Sequence, residues 1–271
     1  PQEMPLLPRT LKPLETTGVQ PVNGETAPEK LLEIYKRIAV VAPQGMGKTS
    51  LLLYLAEKMH KEYLPVTVPL RRWTDDSMRP KPLFDFMLEQ ARQYARKLTA
   101  KTLEKYLKSG KCLLLLDGAD EVEGDGVRLV MIGEISKLCE KFPRLLIAVS
   151  CRGSSYCHEI PGFKRFALQP LEENQVPLFI GLWFEESNPA RGEALVKRLR
   201  VEDSLRDMAG NPLMLSIMAS LWQGHENEKE RPRRVEFFDR LVEMLLDKWE
   251  GNKNIQPRFS PDQKRLILRK L

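Results

Sequence analysis

Long apolar runs are absent. No 18 consecutive apolar residues occur in the chain, so no helix is expected to span a membrane. The opening PQEMPLLPRT lacks both the basic end and the apolar stretch of a secretory signal. It also lacks an initiator Met, and the chain is expected to be a fragment of something longer. Cysteine is scarce: 4 residues without regular spacing fit a reducing, cytoplasmic compartment better than a disulfide framework. Cys151, Cys157 and His158 lie close together but lack the paired spacing of a zinc site. What remains is a globular composition over 271 residues, with 42% apolar and 30% charged side chains. That excludes collagen-like and wholly disordered chains and leaves room for about two domains.

The net charge of +6 is concentrated in the last 21 residues, where Lys253, Arg258, Lys264, Arg265, Arg269 and Lys270 stand against Asp262. Phe259 is the one aromatic there, whereas nucleic-acid surfaces interleave basic and aromatic residues. The tail reads as a solvated helix face, and no nucleic-acid partner is expected.

Residues 1–29 carry Pro1, Pro5, Pro8, Pro13, Pro21 and Pro28, and read as an extended lead-in. Strands are predicted at 38–42, 66–68, 111–117 and 145–150, with a shorter one at 165–168. Their continuous apolar, β-branched runs suit burial on both faces. Helices are predicted between them at 49–59, 83–98, 103–107 and 127–139. Strands alternating with helices imply an α/β domain, a parallel sheet of about five strands covered on both sides. After Pro170 the strand signals stop, and 172–184, 190–209, 212–222 and 234–249 read as helices. The expected organisation is a lead-in (1–29), an α/β domain (30–170), a helical domain (171–250) and the start of a further segment (251–271).

Between the first strand and its helix lies APQGMGKT (42–49), which matches G-x-x-x-x-G-K-[ST] with Ala42 at the first glycine. Gly45 and Gly47 let backbone N–H groups converge on phosphate oxygens. Lys48 supplies a mobile positive charge for the β- and γ-phosphates, and the Thr49 hydroxyl is suited to Mg²⁺. The helix that begins near Lys48 points its positive end at the same anion. Pro43, Gln44, Gly45, Met46, Gly47, Lys48, Thr49 and Ser50 are therefore the candidate nucleotide-binding set.

A phosphate loop needs a metal site opposite, and LLLLDGADE (113–121) offers one. Asp117, at the end of a buried strand, is placed to hold Mg²⁺ with Thr49. Gly118 permits a sharp exit that returns Asp120 and Glu121 towards the site, where either could orient or deprotonate a water. A helix N-cap followed by first-turn acids is the structural alternative.

LLLLDGADE resembles the extended Walker B of the NACHT family of STAND ATPases, an apolar run followed by D-G-x-D-E. AVSCR (148–152) is similar to that family's strand ending in Ser/Thr-x-Arg, which implies that Arg152 senses the γ-phosphate. GNPL (210–213) resembles the G-x-P motif, which implies that Pro212 packs against the adenine. The segments 168–175, 64–70 and 237–249 are also in family style, the last leading towards a winged-helix domain. Ala42 and Cys151 depart from the family pattern, and the chain stops before a winged-helix His.

The resemblance implies a P-loop NTPase that binds ATP or ADP with Mg²⁺ and hydrolyses slowly. Its nucleotide state would control a closed-to-open change and self-association in an immune or defence-type signalling protein with effector and sensor domains. Two alternatives stay open: a P-loop motor or transferase with continuous turnover, and a non-hydrolysing scaffold that keeps nucleotide as a structural ligand.

Overall fold

The computed structural model describes residues 7, 9–13, 26–75, 80–153 and 160–223. It divides into two compact units, Leu6–Leu171 and a second holding the helices from Glu172 onward.

The first unit is built on a six-stranded sheet: β1 (Leu11–Pro13), β2 (Arg37–Val41), β3 (Leu64–Pro69), β4 (Cys112–Asp117), β5 (Leu146–Cys151) and β6 (Lys164–Leu168). Their order across the sheet is β1-β6-β2-β5-β4-β3. All neighbouring pairs are parallel except β1 with β6. The helices are α1 (Pro28–Tyr35), α2 (Lys48–Met59), α3 (Leu70–Asp75), α4 (Leu83–Tyr94), α5 (Ala100–Ser109) and α6 (Asp125–Lys141).

Both faces of the sheet are covered because alternate strand residues feed two cores. Ala39, Val41, Leu114, Leu116, Ile147 and Val149 pack with the apolar side chains of α4, α5 and α6. Ile38, Val40, Leu113, Leu115, Leu146 and Ala148 pack on the other side with those of α1 and α2. A period-2 backbone divides the side chains this way, and a strand buried on both sides must be apolar throughout.

A sixth strand adds to the five read from the sequence. It lies inside the lead-in, where Leu11, fully buried, is the only large apolar residue of a three-residue element. So short a piece leaves no periodicity to detect. Pro13 is tolerable because β1 is an edge strand, where a missing N–H breaks no central ladder. The lead-in also ends early, since α1 starts at Pro28 with proline in its first turn.

The second unit contains α7 (Gln175–Phe184), α8 (Pro189–Val201), α9 (Asp203–Ala209) and α10 (Pro212–Gln223). The single helix expected over 190–209 is broken at Glu202, which leaves helical geometry at φ −103° and ψ 98°. A Cβ added at Gly192 would lie 3.2 Å from Phe184 Cβ, so glycine sets how closely α8 approaches α7. Trp183 and Trp222 are core residues, with their indole N–H groups donating to Gln223 Oε1 (3.3 Å) and Arg191 O (3.1 Å). The helix expected at 234–249 and the segment 251–271 lie outside the described residues. No helix among the described residues is long and apolar enough to cross a membrane. Cys112 and Cys139 are free buried thiols.

Candidate nucleotide site at the carboxyl edge of the sheet

Strand order decides which side chains meet. β5 lies between β2 and β4, and Val41 pairs in register with Cys151 and Leu116 with Val149. The carboxyl ends of the three strands therefore form one edge, with the 42–47 loop leaving β2, Asp117 closing β4 and Arg152 following β5. Parallel sheets gather ligand groups at this edge.

The loop has the backbone its glycines allow. Gly45 and Gly47 have φ of 80° and 85°, a region that side chains other than glycine's rarely enter. Gly47 precedes α2, which leaves the first-turn N–H groups of a 12-residue helix facing the loop interior. The Met46 side chain is buried in the core under the loop with Leu11, Leu51 and Leu168. Lys48 folds over the loop and donates to Ala42 O at 2.8 Å and Pro43 O at 2.9 Å. Burial pulls the Lys48 ammonium below the ordinary lysine value. Asp120 opposes that shift, Arg152 adds to it, and Asp117 and Glu121 oppose it more weakly. The ammonium thus feels every charged group expected at the site.

Opposite the loop, the Thr49 hydroxyl donates to Asp117 Oδ2 at 2.8 Å. The other oxygen, Asp117 Oδ1, accepts from Ser150 Oγ at 2.6 Å, and Ser150 Oγ in turn accepts from Gly118 N at 2.9 Å. Gly118 turns the chain at φ 78°, and Ala119–Glu121 follow as one turn of 3₁₀ helix. Asp120 and Glu121 are thus first-turn acids after a strand, and both also face the edge of the sheet. Arg152 gathers them. Its backbone N–H and its Nε reach the two Asp120 oxygens, each at 2.9 Å. Its Nη2 donates to Glu121 Oε1 at 2.9 Å and its Nη1 to Gln44 Oε1 at 3.0 Å.

Hydrogen bonds thus form two sets at this edge, Gln44–Arg152–Asp120–Glu121 and Thr49–Asp117–Ser150, and the Lys48 ammonium interacts electrostatically with the charged groups of both. Ser50 lies in the first turn of α2. Pro212 belongs to the second unit, where it opens α10 behind Asn211, whose Oδ1 accepts from Leu213 N (3.0 Å) and Met214 N (3.3 Å).

Ser150 was missed as a site residue, although its place two residues before Arg152 on a predicted strand was a usable signal. Arg9 was missed as well, and nothing in the proline-rich lead-in marks it. Its guanidinium donates to Met46 O in the loop at 3.1 Å and to Gln169 O.

The donor set fits Mg²⁺. Thr49 and Asp117 present hard oxygen ligands side by side, and among the described residues no cluster of three or more His, Cys, Asp or Glu forms a complete cage. A cation that takes few protein ligands and completes its shell with phosphate oxygens and water matches that arrangement.

The NACHT-domain family profile matches residues 36–187, more than half of the chain. No curated protein matches it. Among solved structures, C. elegans PCH-2 shares 13% identity at a TM-score of 0.44, with 80% of this chain and 63% of that one covered. The chain thus spans less than two thirds of that relative's length. The replication initiator DnaA bound to AMPPCP and single-stranded DNA shares 16% identity at 0.45, over 85% of this chain and 69% of that one. Domain III of the Thermotoga maritima initiator DnaA shares 14% at 0.36, over 69% and 88%. The chain belongs to the NACHT family, and its first unit is a nucleotide-binding P-loop NTPase domain.

Proposed function

We propose that this NACHT-family chain is an ATP/ADP-dependent signalling switch with slow hydrolysis, in which the bound nucleotide sets the conformational state and self-association of the protein. The observation that supports it best is the closed set of contacts from Arg152 to Asp120, Glu121 and Gln44, beside the phosphate loop. A cation shared between two acids and the loop can exchange those partners for a phosphate, and such an exchange separates a triphosphate state from a diphosphate state.

In this reading the loop N–H groups and Lys48 hold the phosphates. Thr49 and Asp117 hold Mg²⁺, which when bound would offset phosphate charge and fix the phosphate oxygens. Glu121, with Asp120 beside it, orients the attacking water and accepts its proton, and Arg152 contacts the γ-phosphate. With Glu121 paired to Arg152, its carboxylate is not free to act as a base, which is consistent with slow turnover.

The test is to denature the purified chain and identify any nucleotide released, beside Lys48→Ala. Stoichiometric ADP from the native chain and none from the variant supports the switch. A native chain that is empty and fails to bind ATP·Mg²⁺ refutes the nucleotide reading. An empty chain that binds ATP and turns it over rapidly moves the assignment to a motor or transferase. Equal ATP and ADP affinity without turnover moves it to a scaffold, because a ligand that binds both states equally shifts nothing.

A further inference from the structure

Arg9 is a buried cation, at 7% exposure. Among the described residues no carboxylate pairs with it. Its two Nη groups donate to main-chain carbonyls, Met46 O and Gln169 O, and its Nε–H is buried without an acceptor. Desolvation lowers the guanidinium to about 10, with no anion offsetting it. An apolar side chain would fill this place at lower cost. The neighbouring contacts already anchor the segment: Leu11 is fully buried and pairs with Leu168, Thr10 O accepts from Gln169 N, and Leu11 bonds Thr26 in both directions. The cation is therefore not needed to dock β1.

What the cation does hold is one peptide plane of the phosphate loop. Met46 C=O and Gly47 N–H belong to the same rigid unit, with the N–H pointing opposite to the carbonyl. A cation fixed on Met46 O sets the direction of the Gly47 N–H and polarises it into a stronger donor. Gly47, at one end of this plane, sits at φ 85° and has no side chain to restrict its rotation on that side.

We infer that Arg9 is a positioning residue for the phosphate loop, and that docking of residues 9–13 and phosphate binding are coupled through it. The inference rests on the nucleotide reading above. Coupling of this kind is reciprocal: a docked segment tightens nucleotide binding, and bound nucleotide holds the segment down.

Hydrogen exchange and nucleotide titration on the full 271-residue chain test it, with Arg9→Met and Arg9→Lys beside the native protein. In the native chain, MgADP raises protection at 9–13. Arg9→Met weakens MgADP binding by about tenfold, the equivalent of one charge-assisted hydrogen bond. Without nucleotide it also speeds exchange at 44–48 while β4 and β5 stay protected, and Arg9→Lys recovers part of both effects. A general loss of structure would spread across the sheet and would not be rescued by lysine. Native affinity in Arg9→Met, with unchanged exchange at 44–48, overturns the positioning role and leaves the nucleotide reading standing. A native chain that binds no MgADP overturns the nucleotide reading and the role of Arg9 with it. Should Arg9→Met fail to fold, the native measurement decides, and no MgADP-dependent protection at 9–13 overturns the coupling.

Discussion

Removing one oxygen atom, in Ser150→Ala, probes how the acidic edge is held. Ser150 is fully buried, and its Oγ both donates to Asp117 Oδ1 at 2.6 Å and accepts from Gly118 N at 2.9 Å. Alanine removes a hydrogen bond to a charged acceptor, about 1.5–3 kcal/mol, and leaves the Gly118 N–H buried and unmade, about 1–3 kcal/mol. Both losses stem from the same atom and relax together, so the sum is expected near 2–4 kcal/mol. For a unit of this size, 1 kcal/mol moves the Tm by about 2–4 °C, which puts the loss at roughly 4–16 °C. Urea unfolding of native, Ser150→Ala, Asp117→Asn and the double variant separates the Asp117 bond from the rest. A coupling of about 1 kcal/mol or more between the two positions is expected. The Mg²⁺ concentration for half-maximal nucleotide binding should also rise, since the carboxylate is no longer aimed at Thr49. A stability change under about 0.5 kcal/mol with no coupling would refute the reasoning, because surface-like substitutions already cost that little.

Three shorter predictions follow from other geometry at the same edge. Gly118→Ala forces alanine into left-handed helical backbone at φ 78° and ψ 54° and places a Cβ 3.2 Å from Glu121 Cγ. The backbone penalty alone is about 1–2 kcal/mol, so a larger loss is expected, and a loss in denaturant unfolding confined to about 1–2 kcal/mol would remove any role for the Glu121 contact. Glu121→Gln breaks a pair in which both side chains are about one-third exposed, so stability should move by less than about 1 kcal/mol. ATP turnover should fall by about 100-fold or more if Glu121 handles the proton, and native turnover would exclude it as the base. Lys48→Met should gain stability relative to the native chain at neutral pH. There lysine is protonated in both the folded and unfolded states, and the folded state bears the full cost of burying the charge. Between Lys48's lowered folded value and the ordinary lysine value the unfolded chain binds the extra proton, so native stability should rise with pH and the gap should narrow. A gap that is flat across that window would show that burial is not the dominant influence on Lys48.

The central strands β2 and β4 were legible because each carries a short, wholly apolar run, 38–41 and 112–116, and burial on both faces leaves no other pattern. Strand order was not legible. Nothing local in 146–151 says that it inserts between β2 and β4, yet that insertion brings Arg152 within hydrogen-bond reach of Gln44 and Glu121 at once. The phosphate loop was readable because its chemistry demands glycines and a lysine at fixed spacing, while the role of Ser150 depends on a partner 33 residues away. Arg9 depends on partners 37 and 160 residues distant, and no window along the chain contains them. Local signals also failed where one residue ends an element, as at Glu202, whose carboxylate stays paired with Arg198 Nε at 2.8 Å across the break.

Arg152 carries the last and most demanding prediction, since the proposed switch requires it to tell two nucleotides apart. In the arrangement seen here it is committed to Asp120, whose side chain is only 6% exposed, and to Glu121, at 33%. A γ-phosphate can win Arg152 from Glu121 at little cost, because that pair is partly solvated. Winning it from Asp120 is harder, because the nearly buried carboxylate would lose its main counter-charge and keep only the Arg152 backbone N–H at 2.9 Å. The expected exchange is therefore partial: Arg152 keeps Asp120 through Nε and swings its Nη groups from Gln44 and Glu121 to the phosphate. That movement releases the Glu121 carboxylate at the moment a hydrolysable bond is present. Arg152→Gln should accordingly bring the ATP and ADP dissociation constants together, while Gln44→Ala, which frees one Nη group, should favour ATP. Nucleotide titrations of the three proteins decide it. If the native ATP-to-ADP ratio survives in Arg152→Gln, this arginine does not read the γ-phosphate, and its contacts to the two acids serve stability alone.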